Sequence, residues 1–321
     1  MTLKITNVKK NLSLSEHEYF LKNIDSYSYF QSPDWIRVLV STFPNYQNTT
    51  HLFEFSDYSR ILFPLMCIKK LKGLFFTYHS MPFNTYGGLL VSQHLSATAE
   101  YEEKIRLIQD YICHLQMMKL TITPNPLDEI RFSLTVPHSM IEMSTQILHL
   151  QNGYEWIWEN RFDSKNRNQI RKARKSGLII ADNLENSGEQ YWQIYQTTIA
   201  GRGGKRNLVY PRELFHQLAM SPTNVKYYFA LWNEKPIAGI IVLYGRKTAM
   251  YWNSVNYPEA KILCANQFLL DYAIQQAVEN KITSFDLGAS RGLPTVKSFK
   301  SAFGPEEVSY IIVEWAKYRG K

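Results

Sequence analysis

The stretch VKYYFALWNEKPIAGIIVLYGRKTAMYWNSVN, residues 225–256, decides the fold. It holds three runs dense in Val, Ile, Tyr and Phe, separated by Asn233-Glu234-Lys235-Pro236 and by Gly245-Arg246-Lys247. β-branched and aromatic residues between turn formers predict antiparallel hairpins, so the three runs read as a β-meander. A helical pattern follows at about 262–280, with Phe268, Leu269, Tyr272, Ala273 and Ala277 on one face. A short strand, ITSFDL, comes next at 282–287.

The same succession occurs earlier in the chain. HLFEFSDYSRILFPLMCIKKLKGLFFTYHS, 51–80, is three β-like runs broken at Asp57-Tyr58 and at Lys72-Gly73. A helix at about 98–118 sets Ile105, Ile108, Ile112 and Leu115 on one face, and LTIT at 120–123 is a strand. The pattern therefore recurs about 170 residues apart, which marks a duplicated domain. Two helices, Ser187 to Ala200 and Pro211 to Met220, precede the second meander. Two helices, three strands, helix, strand is the order of the GNAT acyltransferase fold. The expected class is α+β: tandem GNAT-like domains, each a mixed, mainly antiparallel sheet flanked by helices. The boundary is expected near HLQNG, 149–153, giving domains over 1–150 and 151–321.

Composition narrows the partners. The formal net charge of +8 favours anionic ones: nucleic acid, phosphorylated metabolites or acidic lipid. The three cysteines, Cys67, Cys113 and Cys264, lie far apart in apolar contexts, which predicts free buried thiols and a reducing cytoplasm. The N-terminal residues lack the apolar stretch of a signal peptide, and no run approaches the roughly 18 apolar residues of a membrane span. A cytoplasmic protein without a transmembrane segment is expected. No HExxH, Ser/His/Asp constellation or carboxylate pair is present, so neither a metal site nor hydrolase chemistry is expected.

The charge is concentrated. RFDSKNRNQIRKARKSG, 161–177, carries seven basic residues against the single acid Asp163. Arg167, Arg171 and Arg174 share a helical face, with Ile170 and Ala173 opposite and Gly177 as the stop. Like charges at i, i+4 repel, so this face is either simply solvated or a phosphate-binding one. AGRGGKRN, 200–207, sets Arg202 and Lys205 among glycines, a mobile loop or an anion-holding flap. In TYHSMPFNTYGGLL, 77–90, Pro82 and Gly87-Gly88 interrupt a strand, and His79, Asn84 and Tyr86 are candidate pocket residues. SFDLGASRGLPTVKSFKSAFG, 284–304, ends a strand at Gly288 and then presents Arg291 and Lys300 close together.

Five segments in order, YFQSPDWIRVL, MPFNTYGGLL, NRNQIRKARKSGL, KPIAGIIVLYGRKTAMYWNSV and FDLGASRG…SFKSAFG, resemble the FemABX-like, CelD/BioF2-like branch of the GNAT superfamily. The resemblance spans residues 28 to 315. It implies an acceptor cleft and transfer of an acyl or aminoacyl group to an amine, in cell-envelope or surface-glycan synthesis. The family's Phe-Lys pair matches Phe299-Lys300, whose ammonium would stabilise the reacting acyl group. Tyr251 and Asn253, within the fourth segment, are candidate substrate contacts. The implied co-substrate is acyl-CoA or aminoacyl-tRNA, with no tightly bound cofactor, and a nucleotide-linked precursor is a further anionic partner. The chain departs from ordinary GNAT enzymes where YPEAKILCANQ, 257–267, lacks the glycines of the pyrophosphate loop. The acceptor amine must lose a proton to attack, and the sequence does not name its base: substrate phosphate, a backbone carbonyl and Asp286 are all open. The alternative reading is a non-catalytic basic scaffold for nucleic acid or anionic glycan.

Overall fold

A computed structural model describes residues 3–70, 73–92, 99–114, 117–128, 139–201, 209–290 and 292–316. Two compact units divide the chain: residues 1–143 with 309–321, and residues 144–308.

The first unit runs β1 (Ile5–Lys9), α1 (Leu14–Leu21), a 3-10 turn (Tyr29–Gln31), α2 (Pro33–Thr42), β2 (Tyr46–Asn48), β3 (His51–Phe55), β4 (Arg60–Phe63), β5 (Met66–Lys70), β6 (Phe75–His79), β7 (Leu90–Val91), α3 (Ala99–Cys113) and β8 (Lys119–Ile122). The Ser32 hydroxyl accepts the Trp35 N–H at 3.3 Å, and Pro33 opens α2 where a missing N–H costs nothing. Each run of the meander is interrupted, yet the first two keep one register. Asn48 faces Met66 and His51 faces Phe63, while Thr49 N–H donates to the Leu65 carbonyl at 2.8 Å. Pro64 splits β4 from β5 because it has no N–H for the ladder. The third run is split more widely: β6 pairs with β5, β7 pairs with β4, and residues 80–89 loop out between them.

The second unit continues with β9 (Ser139–His149), α4 (Tyr154–Asn160), α5 (Ser164–Lys175), β10 (Ile179–Asp182), α6 (Ser187–Ala200), α7 (Arg212–Ala219), β11 (Val225–Trp232), β12 (Lys235–Tyr244), β13 (Thr248–Asn256), α8 (Pro258–Ile262), α9 (Ala265–Glu279), β14 (Ser284–Asp286), α10 (Pro294–Ser301) and β15 (Glu306–Ala316). Its sheet has the order β10-β11-β12-β13-β14-β9, with β14 parallel to β13 and β9 antiparallel to β14. The first unit repeats that order. β1 is outermost, followed by β2/β3, β4/β5 and β6/β7; β8 lies parallel to β6, and residues 313–316 of β15 lie antiparallel to β8.

The boundary expected at 150 is corrected by this arrangement. Residues 144–149 of β9 belong to the second unit, and residues 309–321 belong to the first. The reason is edge satisfaction: β14 and β8 would otherwise expose a row of unpaired N–H and C=O groups. Each is covered by a strand distant in sequence.

Alternation along β11 feeds two layers. Tyr228 and Ala230 join the core with α5 and α9, while Tyr227 packs edge-on to Tyr191 of α6, with ring centroids 5.4 Å apart. Cys67 and Cys264 are free and buried, as expected. Gly304 is a tight point: its φ is +70°, and a Cβ there would lie 2.2 Å from the Arg161 carbonyl oxygen. Gly304→Ala is therefore expected to destabilise the protein by about 3 kcal/mol or more, since backbone strain and a backbone clash add. Denaturant unfolding of the variant measures the loss.

Candidate active site

Strands β13 and β14 run side by side for only three pairs, Thr248 with Ser284, Ala249 with Phe285 and Met250 with Asp286. β13 then continues to Asn256, whereas β14 ends and Gly288, at φ +77°, turns the chain away. Beyond Met250, β13 makes no further pair with β14. At the same level β13 carries a bulge: Val242 faces Tyr251 and Ile241 faces Asn253, leaving Trp252 as the extra residue.

The bulge changes which side chains meet. Plain alternation would put Tyr251 and Asn253 on one face. Instead Tyr251 packs into the α9 side of the sheet, with its ring 6.4 Å from Phe299. Asn253 turns to the opposite side, where its side-chain oxygen accepts the Tyr191 hydroxyl at 2.9 Å. Trp252 packs there against Tyr210, its ring tilted by 41° and centroids 5.1 Å apart. The two predicted residues thus flank the bulge from opposite sides of the sheet.

Lys300 lies in the last turn of α10, a helix opened by Pro294 at its first position. The side chain is only 5% exposed. Its ammonium donates to the carbonyls of Gly288 at 2.7 Å and Ala289 at 3.1 Å. The other side of the same loop is held by Asp286, whose Oδ1 accepts the Gly288 N–H at 2.6 Å and the Thr145 hydroxyl at 2.5 Å. Gln146 adds two ties, donating to Ser301 Oγ at 2.9 Å and accepting from Ser290 Oγ at 3.4 Å. The geometry makes Asp286 a positioning residue for the loop. Thr145 and Gln146 were missed in the sequence, because nothing local to β9 indicates that it pairs with β14. Arg291 lies outside the described residues.

The basic helix α5 is capped by Asp163, which accepts the Asn166 N–H at 2.5 Å, and it stops at Gly177. Ile170 and Ala173 are buried, as the pattern predicted. The three arginines do share a face, but their side chains are engaged by the protein itself. Arg167 donates to the carbonyls of Trp158, Glu159 and Phe162, closing the C-terminal end of α4. Arg174 pairs with the buried carboxylate of Asp271 at 2.8 Å and, with Arg171, lies over the Trp158 ring. Burial raises the Asp271 pKa while Tyr154 and Arg174, bonded to it, pull it back. α5 still presents Lys165, Arg171, Lys172, Arg174 and Lys175 at the surface, Lys172 donating to the Ile262 carbonyl.

Among the first-unit candidates, Asn84 is exposed in a left-handed turn, at φ +56°. Tyr86 is core: its ring packs edge-on to Phe30 and Tyr310. His79 sits half-buried on β6, where burial and the nearby lysines hold it at about 4. The glycine pair serves close approach, since a Cβ on Gly87 would lie 2.5 Å from the Ser80 side chain. A polar knot closes around it. Gln31 donates to the Gly87 carbonyl at 2.9 Å, Asn125 donates to Asp128 at 2.8 Å, and Gln31 also bonds the Asp128 carboxyl. Burial pushes Asp128 up to about 8, against the pull of those two amides. Sequence spacing gives no sign of this knot. Arg202 and Lys205 lie outside the described residues. Among the described residues no group of side chains could hold a metal ion, and no helix is long and apolar enough to cross a membrane.

Comparison with known proteins assigns the class. Residues 161–300 match the model of the Acetyltransferase (GNAT) domain family. A search of curated proteins finds no match. Among solved structures the chain is similar to FemX, at 9% identity and a TM-score of 0.70, covering 96% of this chain and 97% of that one. It is similar to L-PGS from Bacillus licheniformis at 12% identity and a TM-score of 0.56, over 97% and 94% of the two chains. It is similar also to a tandem GNAT protein from the clavulanic acid biosynthesis pathway, at 11% identity and a TM-score of 0.54, over 100% of each chain. At such identities the likeness is one of fold. Residues 161–300 thus match a GNAT domain, and the chain as a whole has the fold of tandem GNAT proteins, with FemX among its structural neighbours.

The Asp128 knot has a pH signature. A carboxyl whose pKa is raised on folding keeps a proton that the unfolded chain has lost. Its contribution is complete below the ordinary carboxylate range and is lost as pH rises toward about 8. Asp128→Asn, which fixes the neutral form, is expected to flatten this part of the stability profile. Urea unfolding across that pH range reads it directly.

Proposed function

We propose that the protein forms an amide by moving an acyl or aminoacyl group from a phosphate-bearing carrier to an amine acceptor. The observation that carries this reading is the buried Lys300 ammonium, fixed on the Gly288–Ala289 loop where β13 parts from β14. The acceptor amine attacks the carbonyl carbon of the donor ester or thioester, and the carbonyl oxygen gains negative charge. An ammonium already desolvated and held by carbonyl dipoles stabilises that oxygen without reorganising at the moment of reaction. Tyr251 and Phe299 supply the apolar wall that keeps water away. The tetrahedral intermediate then expels the carrier oxygen or sulfur, and the amine loses its proton to substrate phosphate or solvent.

Both aminoacyl-tRNA and acyl-CoA supply such a carbonyl on a phosphate-bearing carrier. In place of a glycine-rich phosphate loop, α9 is preceded by the short helix α8 and by Cys264 in a left-handed conformation. This supports aminoacyl-tRNA over an ordinary acetyl-CoA mode. The resemblance to FemABX-like proteins supports an acceptor in cell-envelope or surface-glycan synthesis. Binding of purified protein to charged tRNA and to CoA distinguishes the donors.

Lys300→Met is expected to lower turnover by about 10² to 10³, the scale of one lost electrostatic stabiliser, with smaller changes in donor and acceptor affinity. Lys300→Arg should rescue only in part, because a planar fork replaces a compact ammonium. Thermal melting of both variants checks that the loop has kept its fold. Transfer of a labelled acyl group at saturating substrate is the measurement, and unchanged turnover in a folded Lys300→Met protein refutes the reading. Loss of donor binding with turnover preserved at saturation would instead make Lys300 a phosphate anchor.

A further inference from the structure

The β5–β6 hairpin of the first unit has a tip unlike the rest of its sheet. Leu74 is 77% exposed, and Phe75 and Phe76 are exposed as well. In the ladder, Lys70 faces Phe75 and Lys69 faces Phe76. Directly opposed residues share a face of the ribbon, and successive pairs point to opposite faces. Each face of the tip therefore carries one lysine beside one phenylalanine, with Leu74 beyond them. Large apolar side chains grouped in this way on a surface mark an interaction site.

A second apolar group lies toward the same end of this unit's sheet. Met140 and Ile141, at the start of β9, are 59% and 44% exposed. Ser139 donates to Glu314 at 3.1 Å, Glu314 pairs with Lys119 at 2.7 Å, and Lys119 stands beside Thr77 of β6. Glu142 is exposed next to this pair.

We propose that this hairpin tip docks the protein on an anionic phospholipid bilayer. A protein partner covers one face of a ribbon, whereas a bilayer interface surrounds an inserted tip on every side. Only the second suits a tip with the same lysine–phenylalanine chemistry on both faces. Aromatic rings settle at the headgroup level, and lysine stems lie along the apolar zone with their ammonium groups among the phosphates. The net charge of +8 draws the molecule toward such a surface.

The test uses the full-length protein and vesicles of phosphatidylcholine, alone or doped with phosphatidylglycerol. Sedimentation with the doped vesicles, weakened by salt, is expected, with little binding to phosphatidylcholine alone. Leu74→Ser, at a site too exposed to disturb folding, should lower the bound fraction severalfold. Lys69→Gln with Lys70→Gln should lower affinity by about 25-fold, about fivefold for each lysine near a charged surface. Equal melting temperatures confirm the variants are folded. The proposal falls if the wild type stays in the supernatant with doped vesicles, or if either variant binds as well as the wild type. A dimer in analytical ultracentrifugation that Leu74→Ser dissolves, without vesicle binding, assigns the tip to a second copy of the chain and overturns it too.

Discussion

The contact between the Lys300 ammonium and the carbonyls of Gly288 and Ala289 organises the candidate site, because it fixes a charge in a buried position. A desolvated ammonium is costly unless polar groups replace its hydration, and the carbonyls do so here. They can do so because Asp286 holds the opposite side of the same turn through the Gly288 N–H. Gly288 is required for the turn itself, since its positive φ is one that side chains resist. The loop is thus held from both sides, by a cation on its carbonyls and a carboxylate on its amide. Thr145 and Gln146 extend the support to β9, so the charge rests on secondary structure and not on a free loop.

The arginines of α5 show how far charge counted in a sequence differs from charge available to a ligand. Arg167 serves as a C-terminal cap, and Arg174 compensates a buried aspartate. Trp158 receives two guanidinium groups on its ring, which eases the like-charge repulsion between them. The helix is basic partly because its own neighbours need cations. Its lysines, whose stems reach outward, carry most of the field that a polyanion would meet.

Local pattern sufficed for much of this fold. The second meander, α6, α9 and the stops at Gly177 and Gly288 follow from periodicity and turn chemistry, and they appear where expected. What local pattern could not supply was pairing between distant strands. β9 has the look of a strand in any sheet, and only the open edge of β14 assigns it. The bulge at Trp252 depends on a one-residue mismatch with β12, which no composition reveals. The Gln31–Asp128 knot joins a 3-10 turn, a glycine turn and a loop, and no one of these signals the other two.

The exchange of closing strands has a consequence in time. The first unit's β8 is made early, but the strand that covers its edge is residues 313–316, made almost 200 residues later. The first unit therefore cannot finish folding until those residues have emerged from the ribosome, whereas most tandem domains fold one after another as they emerge. The exposed edge of β8 is a template for wrong pairing throughout that interval. Its protection is kinetic: the wait lasts as long as translation of the residues between the two strands.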